Sequence, residues 1–147
     1  MKIRNGFVSN SSTSSFYIYG ICLDIAEDEI INKFKENTTE EMQKMILAKN
    51  NEAAAKSSYK HEFDNFETYI DNFGEDFYEM VYEIGEVLNL SVNQPEYSGT
   101  YIGIDPSDIG DNETGKEFKT RVETLIKSLL GDDITGFGWH EEAWRDG

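Results

Sequence analysis

Between residues 61 and 113 the chain holds not one lysine or arginine, and its 147 residues include a single cysteine and two histidines. The lone Cys22 excludes an internal disulfide and a cysteine-based zinc cluster, and gives no sign of an oxidising compartment. Two histidines leave little for a dedicated zinc site. Residues 1–8 lack the apolar run of a signal peptide, and no window approaches the roughly eighteen apolar residues of a membrane span. The expectation is a soluble, cytoplasmic protein without a membrane partner.

Bases are scarce overall: Lys and Arg total 13 against 29 Asp and Glu, for a formal charge of -16. Such a balance argues against nucleic acid or any polyanion as a direct partner and leaves cations and basic proteins. The deficit is local. Residues 1–60 carry eight acids and eight bases, residues 61–113 fourteen acids and no base, and residues 114–147 seven acids and five bases. Fourteen of the sixteen net negative charges therefore lie in one third of the chain.

The apolar content is that of a globular domain, 38% hydrophobic and 13% aromatic, and the length suits one domain. Residues 9–15 (SNSSTSS) bond to their own backbone and bury nothing, so residues 1–15 read as a loop or disordered lead into a single domain over 16–147. Residues 16–23 (FYIYGICL) suit a central strand covered on both faces. Asp24 is a fair N-cap for a helix carrying Ile30, Ile31 and Phe34, and a second short helix begins after Thr38 or Thr39 with Met42, Met45 and Ile46 on one face. The pattern dissolves over 50–59, a mobile connection or frayed helix. From 61 to 90 apolar residues recur at three and four, giving one amphipathic helix or two broken near Gly74. Two strands follow around residues 95–99. A helix over 114–130 stops at Gly131, and a last strand occupies 134–144. The order predicts a small α+β domain, a mixed or antiparallel sheet of about four strands against about four helices.

The opening MKIRNGFVSNSSTSSF resembles a segment recurring at the N-terminus of uncharacterised proteins of tailed bacteriophages and some bacteria. There the serine run is usually uninterrupted, as in RNGFVSNSSSSSF; here Thr13 breaks it. Residues 101–119 (YIGIDPSDIGDNETGKEFK) and the terminal Trp144, Arg145, Asp146 and Gly147 are similar to patterns in the same kind of protein. The resemblance implies a small phage accessory protein made in an infected bacterium. It carries no activity and no active-site residue.

On the helix near Tyr78, Glu75, Glu79, Glu83 and Glu86 follow one another by four, four and three and stack on one face. Like charges so spaced repel by roughly 0.2–0.5 kcal/mol per pair, so the stripe reads as a surface meant for a cationic partner. Glu67, Asp71 and Asp76 add neighbouring charge, and Tyr78 and Tyr82 supply aromatic anchors. One version is imitation of a nucleic-acid duplex for a basic groove; the plain alternative is a solvated acidic face. The expected partner is a host protein with a basic surface, one that handles nucleic acid, with a homodimer left open by the exposed aromatics. The expected role is non-enzymatic inhibition, as in counter-defence or host takeover.

Other constellations weigh less. Asp105, Asp108, Asp111 and Glu113 have oxygen ligands for Ca²⁺ or Mg²⁺, but their spacing is not that of an EF-hand, and Asp105-Pro106 with Asn112 or Thr114 reads as a turn and a helix cap. His140 with Glu141 and Glu142, joined by His61, is a thin metal set. Cys22 lacks a positioned base. No phosphate-binding glycine loop is present, and a phosphorylated serine run would find bases only at Lys2 and Arg4. A rival function is a small-molecule or divalent-ion binder with a pocket between residues 105–113 and 137–142; another is a minor virion or assembly protein. No catalytic residue, cofactor or metal is assigned.

Overall fold

The computed structural model describes residues 16–58, 60–72, 77–94 and 99–142. Among them are four strands and five α-helices, in the order β1 (Phe16–Leu23), α1 (Glu27–Asn37), α2 (Glu40–Ala55), α3 (Phe66–Asn72), α4 (Phe77–Val87), β2 (Ser91–Asn93), β3 (Thr100–Ile104), a 3₁₀ turn (Pro106–Asp108), α5 (Gly115–Leu130) and β4 (Gly138–Glu142). This is the expected small α+β domain, and every strand pair is antiparallel.

The sheet runs β2-β3-β1-β4, so the apolar β1 is a central strand as its composition suggests. Register decides which side chains share a face. Tyr19, Ile21 and Leu23 lie opposite Ile104, Ile102 and Thr100, and Val92 continues that face on β2. Against it pack Ile30 and Phe34 of α1, Met80, Val81 and Ile84 of α4, and Phe118, Val122, Ile126 and Leu129 of α5, forming one core. Fully burying a side chain of this size is worth roughly 1.5–3 kcal/mol. Close approach at the β2 edge depends on Gly85, where a Cβ would meet Cγ2 of Val92 at 2.6 Å.

The other face is closed differently. Phe16, Ile18, Gly20 and Cys22 alternate onto it beside Tyr101, Gly103 and His140. The ring of Tyr101 meets Phe16 at 5.1 Å and His140 at 5.4 Å between centroids, so three aromatic rings gather beside the buried Ile18.

Local chemistry explains most boundaries and some departures. Thr39 caps α2, its hydroxyl accepting from the Met42 N–H at 3.1 Å. Thr114 and Glu117 form a reciprocal capping box on α5, and Gly131 ends that helix at φ 103°, in the left-handed region. Asp24 is not the cap of α1: the helix begins two residues later behind Ala26, where Glu27, Asp28 and Glu29 favour the positive end of the helix dipole. Residues 50–55 continue α2 instead of dissolving. The reason lies in two polar side chains. Asn50 Nδ2 donates to the His61 carbonyl at 3.0 Å, and Asn51 both donates to the Phe63 carbonyl and accepts from the Phe63 N–H. The apolar stretch after His61 forms α3 and α4, with the expected break at Gly74 lying outside the described residues. So do the segment 1–15, residues 95–98 of the expected turn, and 143–147. Among the described residues no helix is long and apolar enough to cross a membrane.

Candidate functional site

Helix α4 carries the expected acidic stripe, but its members separate. Glu79 and Glu86 are exposed. Glu83 is not: it is 5% exposed. Four residues advance a helix by 400°, so Glu83 sits about 40° around from Glu79, on the flank nearer Met80 and Val87. Helix α2 packs beside α4. There the Glu83 carboxylate accepts from the Tyr69 hydroxyl of α3 at 2.8 Å and from Lys60 Nζ at 2.8 Å. Burial is the main cause that drives the Tyr69 hydroxyl well above its usual range, with the Glu83 charge next. The hydrogen bond to Glu83 holds Lys60 in its charged form above the usual lysine value, and the charges of Glu79 and Glu86 add to it. Glu83 is thus a core tether between the α2–α3 connection, α3 and α4, a correction to its place on the binding stripe.

The remaining assigned residues fall as follows. Tyr82 is 45% exposed, and its position three residues after Glu79 and four before Glu86 puts all three on one side of α4. Tyr78 is half-buried; its hydroxyl donates to the Val92 carbonyl at 3.3 Å, and its ring lies 6.3 Å from that of Tyr82. It fastens α4 to β2 and supports Tyr82 from behind. Glu67 is exposed on α3, and Asp71 pairs with Lys35 of α1 at 2.5 Å, a surface ion pair of small net value. Glu75 and Asp76 lie outside the described residues.

The acidic loop after β3 is largely spent on the protein itself. Asp105 accepts from the Ser107 N–H at 2.8 Å and caps the 3₁₀ turn. Arg121 grips Glu113 with Nε at 2.8 Å and Nη2 at 2.9 Å, and the Gly110 N–H donates to the same carboxylate. Chiefly because of Arg121, Glu113 is held down at about 2. Asp108 and Asp111 are exposed, and among the described residues no three His, Cys, Asp or Glu side chains gather as a metal set. The turn-and-cap reading therefore accounts for the bonds of this loop. His61 is exposed in the α2–α3 connection, and His140 is on β4. The Nε2 atom of His140 is buried, with no hydrogen-bond partner among the described residues, on the face opposite Trp139.

A second group of residues was less visible in the sequence. Trp139 lies between Tyr17 and Phe118, with ring centroids at 5.2 and 6.4 Å and interplanar angles of 21° and 19°. Tyr19 meets it edge-on, and its hydroxyl donates to Glu123 of α5 at 2.5 Å. Lys119 Nζ lies 5.6 Å from the Tyr19 ring and 5.9 Å from the Trp139 ring. The only sequence signal was alternation: Tyr17 and Tyr19 share one face of β1, but the partner strand that sets Trp139 beside them lies over a hundred residues downstream. Antiparallel register also carries the 3₁₀ turn back beside β1, on the side of that strand opposite β4. Comparison with protein-family models, with curated proteins and with solved structures finds no match.

Proposed function

We propose that the protein is a non-enzymatic binding protein that docks the outer side of α4 on a basic surface of a host protein, one that handles nucleic acid, in the cytoplasm of a phage-infected bacterium. The observation that carries the reading is Tyr82, exposed on α4 in line with Glu79 and Glu86 within the base-free stretch of the chain. An aromatic ring with flanking carboxylates is a small anchor: the ring supplies contact area, and the charges steer a cationic partner and set its register. Duplex imitation loses support. With Glu83 turned inward, the α4 row offers Glu79 and Glu86, about 10 Å apart along the axis, whereas a duplex presents a charge every ~1.7 Å.

The test is affinity capture from bacterial lysate with the full chain and with a Glu79→Gln, Tyr82→Ala, Glu86→Gln variant, each over a range of salt. The expected result is a co-purifying basic protein whose capture by the native chain falls steeply with salt and whose capture by the variant is weak throughout. Equal capture at every salt concentration refutes the α4 surface.

A further inference from the structure

Tyr17 and Trp139 are 43% and 42% exposed, although the rest of their ring stack is buried. The stack runs Tyr17, Trp139, Phe118, and Phe118 is sealed in the core on the inner face of α5. Trp139 has a ring on each side, so the open end of the stack is Tyr17. Among the described residues no lysine or arginine lies over the Tyr17 ring. Lys119 already occupies the inner end, over Tyr19 and Trp139, and Arg121 lies 5.5 Å from Phe118 while gripping Glu113.

The acids beside Tyr17 complete the geometry. Glu141 is directly opposite Tyr17 on the neighbouring strand, hence on the same face, and is exposed. Directly opposed residues on paired strands place their Cβ atoms about 4.5–5.5 Å apart, so the carboxylate and the ring edge are within reach of one ligand group. On the other side of β1 lies the 3₁₀ turn, whose Asp108 carbonyl accepts from Arg121. Glu123 of α5 is engaged by Tyr19.

From this juxtaposition we propose that Tyr17 and Glu141 form an arginine-accepting ledge for a basic polypeptide: the guanidinium plane stacks on the open face of Tyr17 while its N–H fork meets the Glu141 carboxylate. The proposal rests on the reading of a cationic protein partner and adds to α4 a contact that distinguishes arginine from lysine. Guanidinium is planar, weakly hydrated and forked, so it can stack and bind a carboxylate together; an ammonium is a hydrated point charge that gains less from either. The exposed Glu141 carboxylate beside the ring supplies the complementarity. Lys119 opposes a second cation at the inner end of the stack, which leaves the Tyr17 end as the seat.

The experiment is calorimetric titration of the full chain with two glycine-spaced peptides of equal length and charge, one bearing arginines and one lysines. The arginine peptide is expected to bind about fivefold more tightly, the equivalent of one stacked cation. Tyr17→Ala and Glu141→Gln should each bring the two peptides to equal affinity, chiefly by weakening the arginine peptide, while the α4 variant weakens both alike. Equal affinities for the native chain, or a preference that survives both substitutions, overturns the ledge and leaves the α4 reading standing. Binding indifferent to the α4 variant, with the arginine preference intact, overturns α4 and leaves the ledge.

Discussion

Two tyrosines, Tyr69 and Tyr19, each donate a hydrogen bond to a glutamate on a different element, Glu83 at 2.8 Å and Glu123 at 2.5 Å. The Tyr69 pair lies under α4, closed over by α2 and α3 and neutralised by Lys60. The Tyr19 pair lies at the β4 end of the sheet, where Trp139 and Tyr17 reach solvent and Lys119 lies over the rings. The same bond therefore does different work. In the first place it lets a carboxylate be buried so that three segments are held together; in the second it steadies the base of an exposed aromatic surface. A glutamate's role here depends on how completely its neighbours exclude water, since an unpaired buried charge is costly and a wet one is cheap.

Breaking the buried pair should have the largest effect. Glu83→Ala removes the carboxylate that accepts from the fully buried Tyr69 hydroxyl and from Lys60, and should destabilise the fold by about 3 kcal/mol in urea unfolding. The half-wet pair is worth less. Tyr19→Phe should cost about 1 kcal/mol at neutral pH, and its pH profile sharpens the contrast. Burial first and the bond to Glu123 second push the Tyr19 hydroxyl up to about 12. Folding therefore favours the protonated phenol. Its contribution is whole below the usual tyrosine value of about 10 and is lost as pH climbs from there towards about 12. Thermal melts between those values should show a steeper decline for the native chain than for Tyr19→Phe; parallel declines would mean that the hydroxyl is not held as described. The smallest effect is expected on the exposed side of α4. Glu79→Gln with Glu86→Gln should change stability by no more than about 0.5 kcal/mol, since the like-charge repulsion relieved is offset by the attraction to Lys60 that is lost. A loss comparable to that of Glu83→Ala would place those residues inside the fold.

Much of the architecture was legible because it follows from period and punctuation. The apolar β1, the spacing of Phe118, Val122, Ile126 and Leu129, and the caps at Thr39, Thr114 and Gly131 are local signals, and each lies where its chemistry puts it. Residues 50–55 were misread because Asn50 and Asn51 carry no apolar pattern; their value appears only once residues 61–63 lie against them. The candidate site was half legible. Tyr82, Glu79 and Glu86 share the expected face of α4, whereas Glu83 leaves it for reasons that belong to Tyr69 and Lys60. The Tyr17–Trp139 stack was out of reach because it joins the first and last strands.

By itself the sequence determined the net charge, its concentration in residues 61–113, the α+β class and the caps at Thr39, Thr114 and Gly131, since each depends on composition or on neighbours within a turn. Tertiary structure alone decided which acids face water. Placing Glu83 inside required a hydroxyl and an ammonium from segments 14 and 23 residues away, and the aromatic end of the sheet required β4 to return beside β1. Both are long-range events, and burial, not residue type, sets what a charge or a ring can do.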